Sequence, residues 1–127
     1  MKTLQETFNQ SYLCLKRQGF KRSVLPWIDT TCSYRQILDD GTEVRCAVGH
    51  LLPEDADTEY CDDLGGVSGL KHRAKRYGPI ATLFKTHDED LMIRLQRVHD
   101  ESTSPEVMKE RLADLANSLN LTIPQED

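Results

Sequence analysis

Apolar positions in the first segment recur at a helical interval. Leu4, Phe8, Tyr12 and Leu15, with Ser11 beside them, line one face at i, i+4, i+8 and i+11. Thr3 and Glu6 have the spacing of a capping box. Lys16 and Arg17 suit the negative end of the helix dipole, and Gly19 supplies a left-handed stop. The pattern then changes. Pro26 within Val24-Leu25-Pro26-Trp27-Ile28 demotes that stretch to an edge strand or an irregular segment, with Trp27 as a packing anchor. Thr31–Ile37 reads as a strand, Asp39-Asp40-Gly41-Thr42 as a hairpin turn and Glu43–Val48 as the return strand. Alternation of Val44, Cys46 and Val48 places these three on one buried face.

Two further helices close the chain. Asp88 caps one in which Leu91, Leu95 and Val98 share a face. Ser104-Pro105 starts the other, with Met108, Leu112, Leu115 and Leu119 on its apolar side. The connection between them is short enough for an antiparallel pair. The expected fold is therefore α+β: an N-terminal helix, a central β-hairpin and a C-terminal antiparallel helix pair around one core. Residues 1–127 form a single domain, with 54–69 as a flexible acidic and Gly-rich loop, Gly78-Pro79 as a chain break and 122–127 as a frayed tail.

Composition narrows the function. With 16 Lys+Arg against 21 Asp+Glu, the net charge of −5 disfavours general nucleic-acid binding. Mean hydropathy is −0.56, and no apolar run approaches the roughly 20 residues of a membrane-spanning helix, so no membrane partner is expected. The N-terminus lacks the apolar stretch of a secretory signal, so Cys14, Cys32, Cys46 and Cys61 read as reduced thiols in a cytoplasm.

Three sets of residues carry possible chemistry. Cys32, Cys46, His50 and Cys61 are soft and imidazole ligands that would close a tetrahedral zinc site, but none of them forms the C-x2-C or H-x3-H pair of a usual knuckle. Core packing of the cysteines is the default, and zinc is the one cofactor the residues suggest. A two-residue turn at Asp40-Gly41 puts Cys32 and Cys46 on opposite faces of the hairpin, whereas a three-residue turn puts them on the same face. Cys46 as a nucleophile with His99 as base, oriented by Asp100 or Asp55, is the enzymatic alternative. Lys71, His72, Arg73, Lys75 and Arg76 form a basic run next to an acidic one, with Tyr77 as a possible stacking ring. No glycine-rich phosphate loop and no H-E-x-x-H or G-x-S-x-G motif is present.

Cys32-Ser33-Tyr34-Arg35, then Cys46-Ala47-Val48-Gly49-His50-Leu51-Leu52-Pro53, then Leu95-Gln96-Arg97-Val98-His99-Asp100 give the chain a likeness across roughly residues 12–100. It resembles a group of small uncharacterised proteins of bacteria and their phages that share C-x-Y-R, C-A-x-G-[H/C]-L-x-P and L-Q-x-x-H-D segments. The resemblance implies a phage or bacterial origin and a stand-alone domain, and brings no activity with it. Cys61 and the basic run lie outside the shared pattern. The expected function is a small cytoplasmic binding protein that occupies the surface of a host or bacterial protein, as an inhibitor of a host or defence protein. Lys71, His72, Arg73, Lys75 and Arg76, with Tyr34 and His50, are the expected partner contacts. The alternative is a metal-dependent or thiol enzyme centred on Cys46, His50 and His99.

Overall fold

The computed structural model describes residues 1–125 apart from 26, 27, 65 and 75, and describes the backbone but not the side chains of 24, 25, 28–32 and 63. Trp27 and Lys75, and the Cys32 side chain, therefore lie outside the described residues. The chain is helix-rich α+β. Helix α1 (Leu4–Arg17) forms where its caps predict, with both hydrogen bonds of the Thr3–Glu6 capping box present. It buries Phe8, Ser11, Tyr12 and Leu15, while Leu4 at its start stays exposed. Its end is a Schellman motif: Gly19 N–H reaches Lys16 O and Phe20 N–H reaches Leu15 O. Both Gly19 (φ 73°) and Phe20 (φ 56°) are left-handed. For a bulky residue such as Phe20 that conformation costs about 1–3 kcal/mol. Its ring is held by burial and by an edge contact with Tyr12 at 5.5 Å.

Among the described residues, four short strands form two separate two-stranded antiparallel ladders. Strand β1 (Val24–Leu25) pairs with β2 (Ile28–Cys32), and β3 (Gln36–Ile37) pairs with β4 (Glu43–Val44). The single long hairpin expected from the sequence is thus divided. Cys32 belongs to the first ladder, opposite Val24, and is not cross-strand to Cys46. The division falls at Ser33–Arg35, where the Asp62 carboxylate takes the Tyr34 N–H at 2.6 Å and the Ser33 hydroxyl at 3.0 Å. A donor committed to a carboxylate cannot also serve a ladder. The loop across 38–42 turns as expected, with Gly41 at φ 87° and Asp40 Oδ1 accepting the Thr42 N–H. The return strand ends at Val44, and residues 47–50 form a buried turn instead of continuing it.

Residues 54–69, expected as a flexible loop, instead contain helix. Helices α2 (Thr58–Leu64) and α3 (Val67–Arg73) contribute Cys61, Val67 and Leu70 to the core. Asp57 Oδ1 accepts the Tyr60 N–H at the start of α2. Gly69 sits inside α3, and a Cβ there would lie 1.8 Å from the Leu64 carbonyl oxygen, so glycine permits this close crossing of two helices. Gly78-Pro79, expected to break the chain, opens helix α4 (Gly78–Thr86), with proline in the first turn where its missing N–H is harmless.

Helix α5 (Glu89–Glu101) is the hub and touches α1, α3, β2 and helix α6 (Pro105–Ser118). Asp88 and Ser104 cap these last two helices as expected. Leu91, Leu95, Leu112 and Leu115 are buried, and Val98 and Leu119 pack against the core from its edge. Gln5 exchanges two hydrogen bonds with the backbone of Thr122, tying down the start of the segment expected to fray. Among the described residues, no helix is long and apolar enough to cross a membrane.

Candidate functional site

The segment from Arg45 to His50 runs through the interior with Cys46, Ala47, Val48 and Gly49 all buried. A buried turn exposes backbone polar groups to a medium that cannot solvate them, so each needs a partner. Helix α1 supplies two, and its C-cap Gln18 supplies more. Ser11 Oγ donates to Ala47 O at 3.0 Å, and Gln10 Nε2 donates to His50 O at 3.0 Å. Gln18 uses its whole amide: Nε2 donates to Arg45 O and Lys21 O, while Oε1 accepts from Arg45 N–H and from His50 Nε2–H. Helix α5 grips the other side, where Gln96 Oε1 accepts the Val48 N–H at 3.2 Å. Cys46 Sγ accepts the Gly49 N–H at 3.3 Å. A Cβ on Gly49 would lie 2.2 Å from the Tyr34 carbonyl oxygen, which ties the C-A-x-G segment to the C-x-Y-R segment.

The L-Q-x-x-H-D segment completes the same framework. Asp100 Oδ1 accepts Gln96 Nε2–H at 2.8 Å and His99 Nδ1–H at 3.0 Å. His99 Nε2 accepts the Ser23 N–H at 3.0 Å, which fixes the neutral tautomer with its proton on Nδ1. His99 is 0% exposed. The expected Cys46–His99 nucleophile pair therefore does not form: both ring nitrogens of His99 serve other partners, and Cys46 is fully buried with its sulfur on Gly49. Asp55, the alternative orienting residue, is exposed, and the two His99 ring nitrogens are taken by Ser23 and Asp100.

The candidate ligands fare similarly. His50 is bonded to Gln18, and its pKa falls to about 4, chiefly through burial, then through Arg45 and His99, against a weaker pull from Glu43. The Cys61 thiol is pushed up to about 11 by burial and by Asp62, Asp57 and Cys46, so it is not a thiolate at neutral pH. Among the described residues, no group of three or more His, Cys, Asp or Glu side chains converges in a way that would hold a metal ion. Cys14, a half-buried thiol to which the sequence assigned no role, lines a cleft of about 250 Å³ with Arg17, Gln18 and His50.

The expected partner contacts divide into two groups. Tyr34 is fully buried and His50 largely so; both belong to the interior framework. Lys71, His72, Arg73 and Arg76 are exposed at and just beyond the end of α3. Of these, Lys71 pairs with Glu89 at 3.0 Å, an exposed bridge worth about 0–1 kcal/mol. Lys71, His72 and Arg73 face water in the last turn of α3, where their charge also suits the dipole.

A second surface feature lies where α3 meets α5. A pocket of about 290 Å³ opens there, lined by Val67, Ser68, Ile93, Arg97, Asp100 and Glu101. Gln96, Ser11, Gln18 and Asp62 are the residues that sequence reasoning missed. Gln96 left a trace as the second letter of L-Q-x-x-H-D, and Ser11 as the polar residue beside the apolar face of the first helix. Compared with family models, with curated proteins and with solved structures, the chain matches none.

Proposed function

We propose that the chain is a small cytoplasmic binding protein, encoded by a phage or a bacterium, that acts by occupying the surface of a host or bacterial protein. Inhibition of a host or defence protein is the form this occupancy takes. The observation that carries the reading is how the polar residues are divided. The side chains best suited to chemistry are spent internally, Cys46 and the His50 ring on a buried turn and His99 on Ser23 and Asp100, whereas the basic face of α3 points outward and, among the described residues, only its Lys71 is paired. In this reading α1, the hairpin and the antiparallel α5–α6 pair are the scaffold, and α3 carries the contact. Exposed charge of this kind sets association rate and salt dependence more than stability. Phage or bacterial origin rests on the resemblance of the three sequence segments.

Joint replacement of Lys71, Arg73, Lys75 and Arg76 by Ser tests the contact. A partner captured stoichiometrically by the native chain from bacterial lysate should be lost by the variant, with the melting temperature hardly moved. Retention of the same partner at every salt concentration would place recognition elsewhere.

A further inference from the structure

The pocket between α3 and α5 is lined by both apolar and acidic side chains, and one of its carboxylates is held in place. At about 290 Å³ it lies at the lower edge of the roughly 300–1,000 Å³ typical of small-molecule sites, which suits one side chain better than a cofactor. Val67 and Ile93 are the apolar side chains of the lining, and Asp100 and Glu101, in the last turn of α5, are the acidic ones. The Asp100 carboxylate cannot turn freely, because Oδ1 receives hydrogen bonds from both Gln96 and His99. Both donors are nearly inaccessible, at 5% and 0% exposed. Both are also neutral, so they orient the carboxylate without compensating its charge. Among the described residues, Oδ2 has no hydrogen-bond partner, although the side chain is 36% exposed. Arg97, the one cation in the lining, makes no ion pair among the described residues.

We propose that this pocket receives one arginine side chain from a partner protein. The guanidinium would donate to Asp100 Oδ2 and to the Glu101 carboxylate, and the methylene stem would lie along Val67 and Ile93. Arginine fits because its stem is apolar while its head stays charged. Its planar fork can also address two carboxylates together, and it gives up hydration more readily than lysine. Arg97 is a like charge at the rim and opposes the incoming head. This inference rests on the reading of the chain as a partner-binding protein, but not on the basic face of α3.

The experiment is a titration of the isotope-labelled full chain with acetyl-arginine-amide, followed by amide NMR, with acetyl-citrulline-amide as the neutral isostere. Saturable shifts are expected at Ser68, Ile93, Gln96 and Arg97, in the millimolar range natural to so small a ligand. Citrulline should bind about fivefold more weakly, the size of a partly exposed ion pair. Asp100→Asn keeps a carbonyl for both buried donors and removes the charge, so it should weaken binding by about the same factor. Arg97→Gln should tighten it. Glu101→Gln, on the exposed side, carries the charge test should Asp100→Asn fail to fold. Equal shifts from citrulline, unchanged affinity in the charge-removing variants, or no movement of the pocket resonances would overturn the proposal. Failure of the α3 substitutions bears only on the basic face, so the two readings fail separately.

Discussion

Replacing Gln96 by Met, which has almost the same length and no polar head, should destabilise the chain far more than its single side chain suggests. Gln96 is 5% exposed and bonds in both directions. Its Oε1 satisfies the buried Val48 N–H, and its Nε2 donates to Asp100. A buried donor left unsatisfied costs about 1–3 kcal/mol, and a hydrogen bond to a charged group contributes about 1.5–3 kcal/mol. The Asp100 carboxylate is partly solvated, so water recovers some of the second loss. A net cost of about 3 kcal/mol follows, and since 1 kcal/mol shifts the midpoint by roughly 3–5 °C in a domain of this size, the melting temperature should fall by about 10 °C or more. Thermal unfolding followed by circular dichroism reads this directly, with urea titration as a check that the unfolding slope is unchanged. Gln96→Glu sharpens the test. It keeps an acceptor for Val48 but sets a second carboxylate against Asp100, so its deficit should shrink as pH falls and one of the two is protonated. A Gln96→Met midpoint within a degree or two of the native value would refute the reasoning, because the Val48 N–H would then be satisfied by something else.

Further predictions concern packing and pH. The folded-state pKa of His50 lies below its ordinary value, falling from 6.5 to about 4, so the unfolded chain takes up the proton first as pH drops. Stability from this site is complete above about pH 6.5 and declines toward about pH 4, by up to roughly 3 kcal/mol. His87, buried against Thr7 and also depressed by burial, acts in the same direction, and urea midpoints measured across that window should flatten in His50→Gln. Leu112→Ala removes a fully buried side chain from the α5–α6 contact and should cost about 2–5 kcal/mol in denaturant titration. Gly49→Ala forces a methyl to 2.2 Å from a backbone oxygen, and should prevent native folding or lower the melting temperature by more than Leu112→Ala does. In thiol titration of the native chain, half-buried Cys14 should react well before the buried Cys46 and Cys61.

What the sequence revealed and what it hid follow from the range of the forces involved. Helices α1, α5 and α6 have local caps and apolar positions repeated over several turns, so Thr3, Asp88, Ser104 and Pro105 mark their ends without any tertiary information. Helices α2 and α3 have seven residues each, too few for a period to establish itself, and Cys61 is the one fully buried apolar side chain of α2. Gly69 resembles a loop glycine until the Leu64 carbonyl is placed against it. The long hairpin misled for the same reason: its alternation is genuine at Val44, but Asp62 interrupts the first strand from 28 residues away. The site behaved likewise. His99-Asp100 was visible as a pair, but the partners that assign its role, Ser23 and the Val48–Gln96 bond, come from distant parts of the chain. Imidazole and thiol chemistry read from sequence cannot distinguish a reactive pair from a satisfied strut; the hydrogen-bond partners can.

The central claim is that the polar signature residues hold a buried turn in place and leave binding to the surface. Native-state amide hydrogen exchange of the free chain tests it most directly. If the claim holds, the amides of Val48, Gly49 and Ser23, which lie outside regular helix and strand but bond to Gln96, Cys46 and His99, should open only with free energies close to that of global unfolding. Gln96→Met should then lower the protection of Val48 before that of the α6 core. Exchange of these three amides at the rate of an open surface loop would contradict the claim.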